Sequence, residues 1–214
     1  MLLGLMAFSV HQVLLLRFIN PPFTPLMVYC WIKGDGMDFQ WRSLSEVSSF
    51  LQQAVLASED QRFLEHSGFD WNQIQRAIQE RQRRGRVRGA STISMQVARN
   101  LYLWQGHSWI RKGLEAYYTV LIEIMWPKWR IMEIYLNVVE WGPGIFGAEA
   151  SAQHYFQRPA SRLTKYQAAL MAAVLPNPKR WKASQPTPYI RSRQSTILRQ
   201  MHMFAPIRKT SGKP

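Results

Sequence analysis

A mainly α fold follows from three features of the sequence. Apolar residues recur at helical spacing through most of the chain beyond residue 44, long alternating strands are absent, and clusters of Gly and Pro cut the helical stretches into short lengths. The chain has 214 residues, of which 47% are hydrophobic and 13% aromatic. That is enough for one packed domain with room for a small extra lobe. No internal repeat is visible.

The amino end opens the series. Residues 1–16 carry no charged side chain and Arg17 closes the run. The stretch is shorter than the ~20 residues a spanning helix needs, and His11 and Gln12 interrupt it. A buried first helix and a cleaved signal peptide are alternatives, the second without a basic start or a small-x-small site. The reading adopted is a membrane anchor over 1–19, truncated at its start, with the natural reading frame beginning upstream. The lack of Lys or Arg ahead of the run departs from the positive-inside rule. Residues 20–41 hold Pro21, Pro22, Pro25, Gly34 and Gly36 and read as an irregular connector.

The domain proper spans 42–201. Val47, Phe50, Leu51, Ala54 and Val55 keep the i, i+3, i+4, i+7, i+8 spacing of an amphipathic helix that ends near Glu59, with Ser43 or Ser45 as N-cap. A loop leads to Asp70, the expected N-cap of a helix carrying Ile74, Ala77 and Ile78. Residues 81–90 have no apolar period and read as an exposed, mobile basic loop. Ser91 is the expected cap of a helix with Ile93, Val97 and Leu101 on one stripe. Ser108 opens a longer helix to about Met125. Pro127 stops it and starts the next at its first position, with Ile131, Ile134, Tyr135 and Val138 inward. Gly142, Pro143, Gly144 and Gly147 break the chain before helices near 147–156 and 164–175. A basic tail fills 202–214.

Charge narrows the partner. The formal net charge is +14, from 27 Lys and Arg against 13 Asp and Glu. Nine basic residues and one acid lie between Arg76 and Lys112, and nine basic residues and no acid between Lys179 and Pro214. Such clustering fits a polyanion: nucleic acid, anionic headgroups or a phosphorylated substrate. Cys30 is the single cysteine, which excludes intrachain disulfides and cysteine-rich zinc sites.

Three segments carry chemistry. In the first, Glu59 and Asp60 end a helix, with Phe63, His66 and Gly68 in the loop beyond. Acid–base work needs a carboxyl group at the rim of a cleft where partial burial raises its pKa; the plain alternative is a solvated pair closing a helix. In the second, Thr92, Gln96, Arg99 and Asn100 share one helical face, opposite Ile93 and Val97, and suit a sugar or a phosphate. Gly89 before this helix leaves backbone N–H groups free for an anion; an ordinary polar face is the alternative. In the third, Arg111 and Glu115 stack four apart beside Lys112, which by itself describes a common surface ion pair.

Taken in order, these segments resemble the glycosyltransferase family that polymerises peptidoglycan, found alone or as the amino-terminal domain of bifunctional penicillin-binding proteins. Residues 59–70 match its first motif, 89–100 its second and 111–115 its third. Residues 131–137, 144–150, Tyr155-Phe156 and 175–178 follow in family order. The match covers about 42–201. Ala90 replaces a glycine common in the second motif, and Arg99 stands where many members have lysine. Arg99 keeps the charge and grips phosphate oxygens bidentately.

The resemblance implies a lysozyme-like fold with a large helical lobe and a smaller membrane-proximal jaw. It implies Glu59 as general base toward the 4-hydroxyl of an acceptor N-acetylglucosamine on lipid II or the growing glycan chain. Arg99, Arg111 and Lys112 would hold the departing pyrophosphate, and Glu115 would be the second catalytic carboxylate, ordering those cations or a metal on the pyrophosphate. Thr92, Gln96 and Asn100 would line the sugar cleft. Asp60, Phe63, His66 and Gly68 would shape the loop, His66 standing equally well as a purely structural hydrogen-bonding residue. No metal is assigned, a divalent ion such as magnesium with the pyrophosphate being the one cofactor compatible with the family. Expected partners are lipid II, the membrane, and cell-wall synthesis or division proteins; expected placement is the bacterial inner membrane, through a single-pass anchor, with a periplasmic catalytic domain. A glycan-cleaving lysozyme-type enzyme is the nearest rival, but it has no need of a pyrophosphate pocket. No nucleic-acid motif accompanies the charge, so nucleic acid is not expected as a partner.

Overall fold

The computed structural model describes residues 2–84, 89–106 and 108–209. Among them are ten α-helices and one small sheet. Helix α1 (Leu2–Phe18) lies along α6 (Trp109–Met125), with Val13 fully buried between them. Its carbonyls are held from α7 (Lys128–Val138) and the turn before it. Trp126 Nε1 donates to Val13 O at 2.8 Å, and Arg130 donates to Leu16 O and Ile19 O.

This corrects the reading of 1–19 as a single-pass anchor in the inner membrane. No helix among the described residues is long and apolar enough to cross a membrane. The 17 residues of α1 rise roughly 25 Å, short of a hydrocarbon core of ~30 Å.

The connector is also more ordered than its prolines suggest. Thr24 Oγ1 accepts from Met27 N at 3.3 Å and Pro25 takes the first position of α2 (Pro25–Ile32), whose preset φ favours a helix start. Met27 and Cys30 are fully buried. The chain then runs into β1 (Asp38–Phe39), which pairs in parallel with β3 (Ile145–Phe146); β3 pairs antiparallel with β2 (Glu140–Gly142). Gly144 makes the β2–β3 turn at φ +68°, with the backbone of Asp35 and Gly36 where a Cβ would stand.

Ser43 closes a capping box with Glu46 around a 3-10 turn, and α3 (Ser49–Glu59) starts after Ser48. Helix α4 (Trp71–Arg84) begins where expected, Asp70 Oδ1 accepting from Gln73 N at 3.0 Å. It continues to Arg84, so the expected basic loop is helical at 81–84; its residues 85–88 lie outside the described residues. Helix α5 (Ile93–Tyr102) is capped by Thr92 rather than Ser91, and α6 by Ser108 as expected. Pro127 occupies the cap of α7, one position earlier than the sequence suggests.

Helix α5 packs between α6 and α7, and α2 lies against it. Every side chain of α7 from Arg130 to Val138 is buried. Helix α8 (Gly147–Phe156) covers the sheet. Helix α9 (Lys165–Val174) and α10 (Pro188–Gln200) pack together and against α3. The periodicity did not point to α10, which buries only Ile190 and Ile197. The tail folds back as far as it is described. Gln53 Nε2 donates to Phe204 O at 2.6 Å, Ile207 N donates to Gln52 Oε1 at 3.0 Å, and the Lys209 ammonium lies 5.0 Å over the Trp129 ring.

Candidate active site

Glu59 is the last residue of α3, at the point where the helix meets α5. Gln96 Nε2 donates to Glu59 Oε2 at 3.1 Å, and Tyr135 Oη donates to Gln96 Oε1 at 3.4 Å. The Gln96 amide is thereby oriented, its oxygen toward the buried tyrosine and its nitrogen toward the carboxylate. Burial raises the Glu59 pKa above the ordinary carboxylate value. The Gln96 hydrogen bond and the guanidinium groups of Arg193 and Arg99 pull it down, while the neighbouring Asp60 pushes it up.

The loop beyond is fixed from several sides. Asp60 terminates α3 and is buried; its Oδ2 accepts from Ile93 N at 3.0 Å, which ties the end of α3 to the start of α5. Its other partner is His66 Nε2, at 2.9 Å from Oδ1. Gly68 N donates to His66 Nδ1 at 3.1 Å, so the proton of this ring sits on Nε2 and points at Asp60. Gly68 has φ +93°, and a Cβ there would stand 2.7 Å from Thr119 Cγ2. Phe63 is fully buried beneath the loop, edge-on to His66.

Lys128 pins this arrangement from α7. Its ammonium donates to His66 O at 2.7 Å, lies 2.8 Å from Glu123 Oε2, and sits 4.6 Å over the Phe63 ring. Ser94 Oγ donates to the same Glu123.

The polar stripe of α5 divides in two. Gln96 and Arg99 are part-exposed, whereas Thr92 and Asn100 are buried. Thr92 Oγ1 donates to Gly68 O at 2.6 Å and accepts from Met95 N at 3.2 Å. The hydroxyl expected to line a sugar cleft is therefore engaged in joining the Glu59 loop to α5.

Across α5, the first two turns of α6 carry the third segment, with Tyr102 and Tyr118 stacked 4.3 Å apart where the two helices meet. Glu115 is buried and bridged by two cations, Arg111 Nη1 at 3.2 Å from Oε2 and Lys112 Nζ at 2.5 Å from Oε1. Two positive charges on one carboxylate leave a net positive cluster. Arg111 Nε is buried without a hydrogen-bond partner among the described residues, while Lys112 remains nearly half exposed. A net positive charge with a donor to spare is a chemistry that an anion can meet. With both Glu115 oxygens facing cations, the donor set does not fit a divalent ion held by the protein.

A second group, Cys30, Asp35 and Glu140, places its three potential ligand atoms within 4.8 Å of one another. Lys179 Nζ stands among them, 2.5 Å from Asp35 Oδ2 and 3.6 Å from Glu140 Oε1, and supplies the positive charge. Burial and the Glu140 carboxylate push the Cys30 thiol up to about 11. This cluster joins α2, β2 and the loop after α9.

Arg193, Lys128 and Glu123 were not singled out from the sequence. Each stands alone in the chain and reaches the site only through packing of α10, α7 and α6.

The sequence profile of the family described as Transglycosylase matches residues 30–202. The chain is 53% identical to a biosynthetic peptidoglycan transglycosylase of Stutzerimonas stutzeri, over 95% of this chain and 87% of that protein. It is 50% identical to one of Pseudomonas aeruginosa (94% and 89% covered) and 47% identical to one of Shewanella oneidensis (97% and 91% covered).

Proposed function

The chain belongs to the transglycosylase family and is a peptidoglycan glycosyltransferase, and we propose that it works with Glu59 as general base opposite a cationic cradle made by Arg99, Arg111 and Lys112. The substrate in this reading is a disaccharide on a lipid pyrophosphate. Glu59 takes the proton of the acceptor's 4-hydroxyl as that oxygen forms a bond to C1 of the donor sugar. The C1–O bond to the pyrophosphate breaks with inversion, and its electron pair leaves with the lipid diphosphate. An α-linked donor thus becomes a β-1,4-linked glycan.

A base for this step must be ionised yet basic. A carboxyl group raised by burial and still accepting from Gln96 meets both demands. The leaving group sheds negative charge into its surroundings, and fixed cations stabilise it without reorganising. Glu115 holds Arg111 and Lys112 in place, acting as a positioning residue. Asp60, Phe63, His66, Gly68 and Thr92 set the loop that aims Glu59. A lipid-borne substrate also places the site at a membrane surface.

The part-buried, amide-anchored carboxylate of Glu59 carries the reading. Its test is a chain-extension assay with the lipid-linked disaccharide. Glu59→Gln abolishes polymerisation and Glu115→Gln impairs it severely. Normal activity of Glu59→Gln overturns the assignment, and shortened rather than lengthened glycans overturn the reaction class.

A further inference from the structure

A cleft of about 850 Å³ lies apart from Glu59, between the end of α1, the α6–α7 junction and the returning tail. Neither Glu59, Gln96, Arg99, Arg111 nor Lys112 lines it. Its walls include Trp41, Trp126 and Trp129, with Arg17 and Lys209 among the residues that line it. We propose that this cleft is a binding site for an anionic phospholipid, whose phosphate sits between Arg17 and Lys209 and whose acyl chains run over the exposed apolar side chains of α1 and α6.

The charges of the cleft point to an anion. Two carboxylates face it, and both are engaged. Glu123 is taken by Lys128 and Ser94, and Glu133 by Arg130 and the backbone N–H of Leu44. The Arg130 guanidinium is in turn consumed by Glu133, Asn20 and two carbonyls of the α1 end. Arg17 and Lys209 remain, with no carboxylate within ion-pair distance among the described residues. Each rests on an aromatic ring instead, Arg17 at 5.4 Å from the Phe18 centroid and Lys209 at 5.0 Å from that of Trp129. A cation over a ring keeps its charge available while its position is fixed.

The apolar surface separates a lipid from a free anion. Ile124 lines the cleft and is 75% exposed; Phe18 beside Arg17 is 73% exposed. Leu14 and Leu15, one turn back along α1, are also exposed. Phosphate alone would leave this strip in water, whereas a phospholipid covers it while meeting the cations. Tryptophans beside basic groups and an apolar strip are the composition that favours the headgroup level of a bilayer.

The test uses the full chain and a short-chain soluble phosphatidylglycerol, followed by tryptophan fluorescence and calorimetry, with the matching phosphatidylcholine and inorganic phosphate as comparators. Saturable binding of the phosphatidylglycerol is expected, with at least tenfold weaker response to the other two. Each interfacial cation contributes about fivefold to binding an anionic lipid, so Arg17→Gln with Lys209→Gln weakens it about thirtyfold. Ile124→Ser, at an exposed position that folding tolerates, weakens it without changing any charge of the cleft. Arg180→Gln with Lys182→Gln removes the same charge elsewhere and leaves binding unchanged.

Equal binding of phosphatidylcholine, or equal loss from the Arg180/Lys182 pair, overturns the site in favour of nonspecific attraction. Equal binding of inorganic phosphate reduces it to a simple anion site and overturns the lipid assignment. All binding measurements are repeated on Glu59→Gln, where the site is expected intact, so failure of the catalytic assignment and failure of this one are told apart.

Discussion

Replacing Lys128 with methionine tests whether the Glu59 loop is pinned from α7. The substitution keeps the chain length and apolar volume and removes only the ammonium. Two consequences follow from the geometry. His66 O loses a charged donor at 2.7 Å, and Glu123, whose side chain is 6% exposed, loses its counter-ion at 2.8 Å and keeps Ser94. A charge-assisted hydrogen bond contributes about 1.5–3 kcal/mol, and stripping one partner from a buried pair costs about 3–5 kcal/mol.

The Lys128 side chain is 25% exposed, so water screens part of this loss and the lower end applies, about 3 kcal/mol. For a chain of this size that lowers Tm by roughly 6–12 °C. The assay is a double-mutant cycle by urea or thermal unfolding of Lys128→Met, Glu123→Gln and the pair. Neutralising Glu123 removes the orphaned charge, so a coupling of about 2 kcal/mol is expected. The double variant should still polymerise poorly, because the bond to His66 O is not restored. Additivity within about 0.5 kcal/mol, or full activity of Lys128→Met, refutes the pinning.

Burial holds Glu59 above its ordinary value of 4.5, so polymerisation is lost as pH falls through that raised pKa, and the acid limb of kcat/KM lies above pH 4.5. Arg193 favours the ionised form, so Arg193→Met moves the limb to higher pH; a limb unmoved or moved downward contradicts the assignment. Stability has the opposite sign. The folded state binds the Glu59 proton more tightly than the unfolded chain, so stability falls as pH rises between the two pKa values, and Glu59→Gln removes that fall in a Tm–pH series. At Gly68 the left-handed φ and the contact with Thr119 make Gly68→Ala destabilising by about 2 kcal/mol or more, visible as a lowered urea midpoint; a wild-type midpoint refutes the close approach.

How much of this was legible depends on where the partners lie. The Glu59 loop was readable because its parts are neighbours in the chain: Asp60, Phe63, His66 and Gly68 fall within nine residues and contact one another or the adjoining helix ends. The Arg111–Glu115 pair was readable for the same reason, four residues being one helical turn. Arg193 was not, because it comes from a helix with only Ile190 and Ile197 as apolar anchors, and because its relation to Glu59 depends on α10 packing against α3. The prolines of 20–41 pointed to a connector where one of them starts a helix, since Pro25 suits a first helical position as well as a loop.

The most instructive departure is the stripe Thr92, Gln96, Arg99 and Asn100. Helical period correctly places these residues together but says nothing about what covers them. With α6 and α7 on either side and α2 against it, α5 has little free surface: Thr92, Ser94 and Asn100 are buried, while Gln96 and Arg99 stay part-exposed. Thr92 closes on Gly68 O, Ser94 on Glu123, and Gln96 on Glu59 and Tyr135. A buried polar group without a partner is costly, so each of these bonds fixes the group it reaches, the Gly68 carbonyl as much as the side chains of Glu123 and Glu59. The consequence for chemistry lies at Glu59. A base on an open helix end would keep an ordinary carboxylate pKa and a mobile side chain. In the proposed role of base, Glu59, set against a helix whose amide is already oriented by Tyr135, gains both basicity and aim from the same burial, and the polarity of α5 is what makes that burial tolerable.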